Sequence, residues 1–172
     1  MRINFGAGRK VLDGYYNIDC EQHPKAERAP ELIYTMEFDD GKIRQQIPLE
    51  DGCADEVMSI HVIEHVHRFN ADAVIAEFKR LLKPGGKLVL ECPNIESACR
   101  NLLNGTSDQL SLWAIYGSPK SGGMFVSHLW GYSPKTLSAL VADHGFKDVR
   151  IMPPQMHMTR GNRDMRVEAL RP

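Results

Sequence analysis

The chain opens with two short apolar runs that are separated by a glycine-rich turn. Ile3–Phe5 leads directly into Gly6, Ala7 and Gly8, and a second run that starts at Tyr15 ends on Asp19. Glycines at the end of a strand allow a sharp turn and leave room for a ligand beside the backbone. An acid at the tip of the next strand can accept hydrogen bonds from the two hydroxyls of a ribose. This order of residues predicts a site for a nucleotide-type cofactor.

The connection between these two strands is short. Six residues separate Gly8 from Tyr15, whereas a complete crossover with its helix needs about ten or more. At most one helical turn fits here. We therefore expect a shortened first crossover. We also expect the cofactor to be more exposed than in a protein whose first crossover contains a complete helix.

Length and composition limit the classes of function. The 172 residues fit one domain, so we expect a single domain over residues 1–172. A net charge of -1 does not favour nucleic acid as a partner. The sequence contains neither an apolar run that would span a membrane nor a signal peptide, and four scattered cysteines suggest reduced thiols. These features favour a cytoplasmic protein without a membrane span.

The remaining sequence alternates between strand and helix patterns, which is typical of an α/β domain. We predict further strands at residues 32–34, 56–60, 87–92, 148–152 and 165–170. We predict helices at 62–82, 95–103 and 134–144, the first of which could restart at Asn70 or Asp72. Residues 105–131 show no clear period, and a loop of this length predicts a lid or a substrate-binding insert.

Six segments carry a resemblance to a known family. They are residues 4–8, 17–19, 47–57, 59–66, 81–86 and 131–146. Their order and content resemble class I S-adenosylmethionine-dependent methyltransferases, specifically the small type with sequences of the form SHVLEHV…LKPGG. The resemblance spans nearly the whole chain.

This resemblance implies a fold and a cofactor. The fold would be a single Rossmann-like methyltransferase domain with a mostly parallel seven-stranded sheet and an antiparallel last strand. The cofactor would be S-adenosylmethionine. The residues that the resemblance implies for cofactor binding are Gly6, Ala7, Gly8, Asp19, Phe38, Asp39, Ser59, Ile60 and His61.

Two positions depart from the family pattern. The acid that usually stands two residues before the first glycine is Asn4 here, and Lys10 occupies the place of a frequent third glycine. Asn4 can still form hydrogen bonds, but it brings no negative charge near the sulfonium group of the cofactor.

Methyl transfer requires mainly that the acceptor, the methyl carbon and the sulfur lie in line. A hydroxyl acceptor also benefits from a base, for which histidine is suited near neutral pH. We expect His65, His61 or His128 to be catalytic, and we expect no metal. The predicted acceptor is a small-molecule or glycan-like group, or one presented on a surface, methylated at oxygen or nitrogen.

Three alternatives remain open. The first is a non-catalytic module that binds S-adenosylmethionine, because a fold does not determine activity. The second is a zinc hydrolase, because residues 61–65 match the pattern HxxEH; that pattern requires His61 and His65 on one helix. The third is an NAD-dependent oxidoreductase, although Val11 stands where its third glycine is expected.

Overall fold

A computed structural model describes residues 1–106, 108–118, 127–156 and 163–172. The main sheet is formed by seven of the nine strands within these ranges. The nine strands are β1 (Arg2–Phe5), β2 (Tyr16–Asp19), β3 (Leu32–Ile33), β4 (Phe38–Asp39), β5 (Lys42–Ile43), β6 (Ala54–Ile60), β7 (Leu82–Pro93), β8 (Lys147–Met152) and β9 (Asp164–Leu170). The helices are α1 (Arg68–Leu81), α2 (Ile95–Leu103), α3 (Asp108–Tyr116) and α4 (Pro134–Asp143), and a single 3-10 turn covers Ile63–His65.

The strand order of the large sheet is β3-β2-β1-β6-β7-β9-β8, and β4 pairs with β5 in a separate hairpin. The strands β1, β2, β3, β6 and β7 run parallel, whereas β9 is antiparallel to both of its neighbours. The predicted α/β fold, with a seven-stranded sheet and an antiparallel last strand, is confirmed.

The register of the sheet brings three strand ends together. Phe5, the last residue of β1, pairs with Ile18 of β2 on one side and with Ser59 of β6 on the other. The residues that follow these strands therefore emerge at one edge of the sheet. Open α/β sheets bind their ligands at this edge.

The core lies between the sheet and its helices. The buried run of β7 includes Leu88, Val89 and Leu90, as expected for a central strand that is covered on both faces. On α1, Phe78 contacts Phe5 edge to face with ring centroids 5.2 Å apart. The ring of Phe78 thereby packs α1 against the end of β1.

The predicted single helix over 62–82 is wrong, because only its second part is α-helical. After the 3-10 turn, His67 has extended backbone angles and α1 begins at Arg68. The carbonyl of Glu64 accepts hydrogen bonds from the backbone N–H groups of Leu129 and Trp130, at 2.7 and 3.1 Å. A continuous helix would have used this carbonyl for its own ladder. The helix therefore begins at Arg68, nearly two turns later than the apolar pattern indicates, and at neither Asn70 nor Asp72.

The predicted insert at 105–131 contains a helix, because α3 lies within it and packs against α2. The aromatic residues of this segment obscure the helical period in the sequence. Residues 107 and 119–126 of the insert lie outside the described residues. Whether the insert acts as a lid stays a prediction.

The short connection from Gly8 to Tyr15 contains no helix, as expected from its length. Side-chain amides hold it instead. Asn17 accepts from the backbone N–H of Leu12 at 2.8 Å, and its Nδ2 donates to the Leu12 carbonyl at 3.0 Å. Asn4 Nδ2 donates to the Lys10 carbonyl at 3.0 Å and to Asn17 Oδ1 at 2.9 Å. Two buried amides thus satisfy backbone groups that a helix would otherwise satisfy.

This network explains why an asparagine stands where the family usually has an acid. An aspartate at position 4 has no hydrogen-bond donor, and it would face the Lys10 carbonyl and Asn17 Oδ1. We predict that Asn4→Asp lowers the free energy of unfolding by at least about 2 kcal/mol, because a buried carboxylate would oppose two acceptors. Urea denaturation at pH 7 measures the change.

Asp13→Asn is the control, because it changes one charge in the same connection at a fully exposed side chain. It should change the free energy of unfolding by less than about 0.5 kcal/mol. An Asn4→Asp protein as stable as this control would contradict the proposed role of the amide network.

Candidate functional site

A cavity of about 450 Å³ opens at the edge where β1, β2 and β6 end. Its wall combines glycines, apolar side chains and histidines. The lining residues are Phe5, Gly6, Gly8, Asp19, Cys20, Glu21, His23, Tyr34, Thr35, Met36, Phe38, His61, Val62, His65, Val66, His67, Asn70, Val74 and Leu129. A mostly apolar cavity with a few polar groups is typical of a small-molecule site.

The glycine turn forms one side of this cavity. Gly6 has φ +77°, and a Cβ placed on it would lie 2.1 Å from Cγ2 of Val62. Any larger residue would therefore be strained by its backbone and would displace Val62. The N–H groups of Gly6 and Ala7 both donate to the Ile18 carbonyl, at 2.9 and 3.2 Å, which ties the turn to β2.

Asp19 lies at the tip of β2 and faces the turn. Its Oδ2 accepts from the Gly8 N–H at 2.5 Å, and its Oδ1 accepts from the Cys20 N–H at 2.7 Å. These bonds fix the direction of the carboxylate. Each carboxylate oxygen can accept more than one hydrogen bond, so both keep capacity for a ligand hydroxyl.

The structure brings together some of the predicted cofactor residues. Gly6, Gly8, Asp19, Phe38 and His61 line the cavity. The other four do not line it: Ala7 is buried inside the turn, Asp39 is exposed on the hairpin, and Ser59 and Ile60 belong to the last part of β6.

Sequence reasoning missed several lining residues, among them Tyr34 and Met36. Both follow the very short strand β3, and the Tyr34 N–H donates to the Asp19 carbonyl at 2.8 Å. Only their position in the sequence could have indicated them. Residues that follow a third parallel strand lie at the same edge of the sheet as the residues that follow β1 and β2. The phenol of Tyr34 donates to the Gln45 carbonyl, so this ring is fixed beside the cavity.

His61 is held between two buried carboxylates. It follows β6 directly with φ +55°, an uncommon backbone conformation for a residue other than glycine. Its Nδ1 lies 2.8 Å from Glu64 Oε1, and its Nε2 lies 3.2 Å from Asp164 Oδ2. Arg163 also contacts Asp164, with Nε and Nη2 at 2.5 and 2.7 Å from its two oxygens. When all four side chains are ionised, the two positive and two negative charges of this group sum to zero.

This environment makes His61 a cation at neutral pH. Burial would lower the pKa of His61, but the hydrogen bonds to Asp164 and Glu64 outweigh it and raise the pKa to about 9. Both ring nitrogens then act as donors. His61 is consequently poorly suited to accept a proton from a substrate at pH 7.

The raised pKa makes stability depend on pH. His61 binds its proton more tightly in the folded state, so its contribution is complete below pH 6.5 and is lost as pH rises through about 9. We predict that the free energy of unfolding falls between pH 6.5 and 9 in the presence of EDTA. His61→Asn should show a smaller fall, because asparagine also tolerates a positive φ but does not titrate. Urea denaturation across this pH range measures both; equal falls would contradict the assignment.

His65 and His128 lie side by side next to this network. Their rings contact edge to face with centroids 4.9 Å apart. His65 Nδ1 donates to the Ser127 carbonyl and His128 Nδ1 donates to the Ala114 carbonyl, both at 2.9 Å. Of the two, His65 lines the cavity, and burial lowers the pKa of His128 and keeps it neutral at pH 7. The three predicted catalytic histidines are therefore neighbours in the fold.

The zinc hydrolase alternative requires a helix that this segment does not form. His61 has a left-handed backbone and precedes the 3-10 turn, so His61 and His65 do not present their rings from one helix. His61 is also bonded to Glu64, which would be the general base of such an enzyme.

Comparison with known proteins agrees with the fold. Residues 10–90 match the family model described as a methyltransferase domain. A methyltransferase from Archaeoglobus fulgidus superposes with a TM-score of 0.61 at 17% identity, over 98% of this chain and 84% of that one. A second methyltransferase from Methanosarcina mazei gives 0.57 at 16% identity, over 98% and 90%. Human N-acetylserotonin methyltransferase, solved with S-adenosylmethionine, gives 0.58 at 14% identity, over 98% and 46%.

The predicted resemblance to S-adenosylmethionine-dependent methyltransferases is confirmed by the family model, which matches just under half of the chain, and by the shared fold. S-adenosylmethionine is the cofactor of these similar proteins. The match also disfavours the NAD-dependent alternative.

One curated relative aligns with part of the chain. An uncharacterised 37.1 kDa transposon protein from Streptomyces fradiae is 35% identical over 82 residues. The alignment covers 46% of this chain, which spans about a quarter of that protein's length. Within the described residues, none of the helices has the length and apolar character needed to cross a bilayer.

Proposed function

We propose that this methyltransferase transfers the methyl group of S-adenosylmethionine to a hydroxyl or amine of a small-molecule or glycan-like acceptor. The observation that carries the proposal is the cavity itself. Its lining combines the glycine turn and Asp19 with His61 and His65. A cofactor and an acceptor would therefore meet between a ribose-binding carboxylate and a pair of histidine rings.

The cofactor would lie against the glycine turn. Asp19 would accept the ribose hydroxyls, since its carboxylate is already aligned by Gly8 and Cys20. Gly6 and Gly8 would leave the backbone open to the methionine and ribose parts, and Phe38 would provide an apolar contact for the adenine. The adjacent, exposed Asp39 would reach the adenine amine only at the outer edge of the cavity.

The acceptor would lie on the side of the histidines. The sulfonium group already activates the methyl carbon, so the chain has to align the acceptor with the carbon–sulfur bond. A hydroxyl acceptor must also lose its proton. His61 is charged and held by two carboxylates, so His65, supported by His128, would assist that loss.

Cofactor binding is the first test. We predict that the protein binds both S-adenosylmethionine and S-adenosylhomocysteine, and that Asp19→Asn weakens both by about 10- to 100-fold, because the amide replaces a charged acceptor of two hydroxyls. Isothermal titration calorimetry measures the affinities. Asp13→Asn, an exposed change of the same type, should bind as the wild type does.

Absence of binding to either compound would overturn the proposal, as would an Asp19→Asn affinity equal to that of the wild type. Binding without turnover on any acceptor tested would instead support the non-catalytic module. The binding measurement therefore tests the cofactor site, and the turnover measurement tests whether the protein is an enzyme.

Turnover is the second test. We predict that His65→Ala lowers the rate of S-adenosylhomocysteine release by about 100-fold or more on hydroxyl acceptors, because assistance in proton removal is lost. Its affinity for S-adenosylmethionine should stay within about twofold of the wild type, since the histidine lies on the acceptor side. A panel of sugars, phenols and amines provides the acceptors.

His144→Gln is the matched control for turnover, because this histidine lies at the end of α4 and does not line the cavity. It should release S-adenosylhomocysteine at the wild-type rate. An equal loss in both variants would argue against a role of His65 at the acceptor.

A further inference from the structure

Three metal-binding side chains converge beside the cavity. Glu64, His65 and His128 each offer a ligand atom, and these atoms lie within 4.8 Å of one another. Two of them come from the 3-10 turn after β6. The third comes from the segment that the Glu64 carbonyl holds through Leu129 and Trp130. The backbone therefore fixes all three in place.

Hydrogen bonds fix which histidine nitrogens are available. A carbonyl oxygen can only accept, so the nitrogens facing Ser127 and Ala114 must each carry a proton. Nδ1 thus carries a proton in both rings, and Nε2 is the nitrogen that remains available to a metal ion. Histidines that bind metals are usually oriented in this way, with the second ring nitrogen donating to a carbonyl or carboxylate.

Glu64 supplies a buried carboxylate to this group. Its side chain is 2% exposed, and Oε1 lies 2.8 Å from His61 Nδ1, whereas Oε2 has no hydrogen-bond partner within the part of the chain that the structure describes. A buried carboxylate oxygen without a donor is costly.

We propose that Glu64, His65 and His128 bind one divalent transition-metal ion. A cation between one carboxylate oxygen and two Nε2 atoms would satisfy all three acceptors at once. Imidazole together with carboxylate suits zinc, iron, cobalt or manganese, and three protein ligands leave positions open for another molecule. This site differs from the HxxEH alternative, because His128 replaces His61, and it differs from our expectation that the chain binds no metal.

A bound ion would restrict the chemical class of the methyl acceptor. This inference about the acceptor rests on the proposed function. His65 lines the cavity, so open positions on the ion would face the acceptor. An acceptor hydroxyl bound there would become more acidic and lose its proton to water, so that His65 would assist the loss as a ligand of the ion and not as a base. Its oxygen would then form the bond to the methyl carbon as the carbon–sulfur bond breaks, and S-adenosylhomocysteine would leave with the sulfur electron pair. Hydroxyl acceptors are therefore favoured over amines.

Cobalt(II) titration tests the site directly. The full chain is freed of metal with EDTA and titrated with cobalt(II) chloride by calorimetry and visible absorption. We expect one ion per chain, with a dissociation constant of about 10 μM or tighter and the absorption of a nitrogen- and oxygen-bound ion. His65→Ala and His128→Ala should each weaken binding by at least about 10-fold.

Two further variants separate a specific site from adventitious binding. Glu64→Gln keeps the size of the side chain and should weaken binding to a similar degree, with circular dichroism to verify that it folds. His144→Gln removes a histidine outside the cluster and should bind cobalt as the wild type does. Absence of a one-to-one site, or binding that both His65→Ala and His128→Ala retain in full, would overturn the proposal.

Failure of the metal proposal is distinguishable from failure of the proposed function. S-adenosylmethionine affinity is measured on the same EDTA-treated protein. Cofactor binding without cobalt binding would overturn the metal site and leave methyl transfer in place. Cobalt binding without cofactor binding would overturn methyl transfer and leave the metal site.

Discussion

Glu64 connects several separate parts of this molecule at the site, through its backbone carbonyl and its side chain. Its carbonyl holds the segment at 129–130, its Oε1 meets His61, and through His61 it is linked to Asp164 at the start of β9. A carboxylate that is buried completely is unfavourable unless charged partners surround it. The turn after β6, the antiparallel strand and the segment that carries His128 are therefore arranged around one negative charge. Burial opposes the ionised form of Glu64, but the hydrogen bond from His61 outweighs it and lowers the pKa of Glu64.

The first crossover of the chain is also held together by buried polar side chains. A normal first crossover satisfies its backbone groups with a helix, and this chain lacks the residues for one. Asn4 and Asn17 replace the helix with side-chain amides, and Glu31 accepts from Asn17 Nδ2 at 2.8 Å. Glu31 is in turn paired with Arg28 at 2.5 Å. The loss of the usual acid at position 4 follows from this arrangement, because an amide can donate where a carboxylate cannot.

The sequence was sufficient to predict the sheet and the edge where the site lies. Those features depend on strand patterns and on glycine and acid residues that are local in the chain, such as Gly6 and Asp19. The start of α1 was not predictable, because it depends on a hydrogen bond from Leu129 and Trp130 to Glu64, about 65 residues away. The partner of His61 at Asp164 is still more distant, 103 residues along the chain. Helical periodicity contains no information about such contacts, so the charged network required the structure.

The side chain of Val62 links the glycine turn to the segment that carries Glu64 and His65. Val62 stands between His61 and the 3-10 turn, and its Cγ2 occupies the space that a Cβ on Gly6 would need. The turn that would hold the cofactor is therefore packed against Val62, two residues before Glu64. A displacement of Val62 would shift both the glycine turn and the two ligands of the proposed metal site, since packed interiors transmit such displacements. The missing side chain at Gly6 thus sets how closely the glycine turn approaches the segment that carries Glu64 and His65, as well as the shape of the turn.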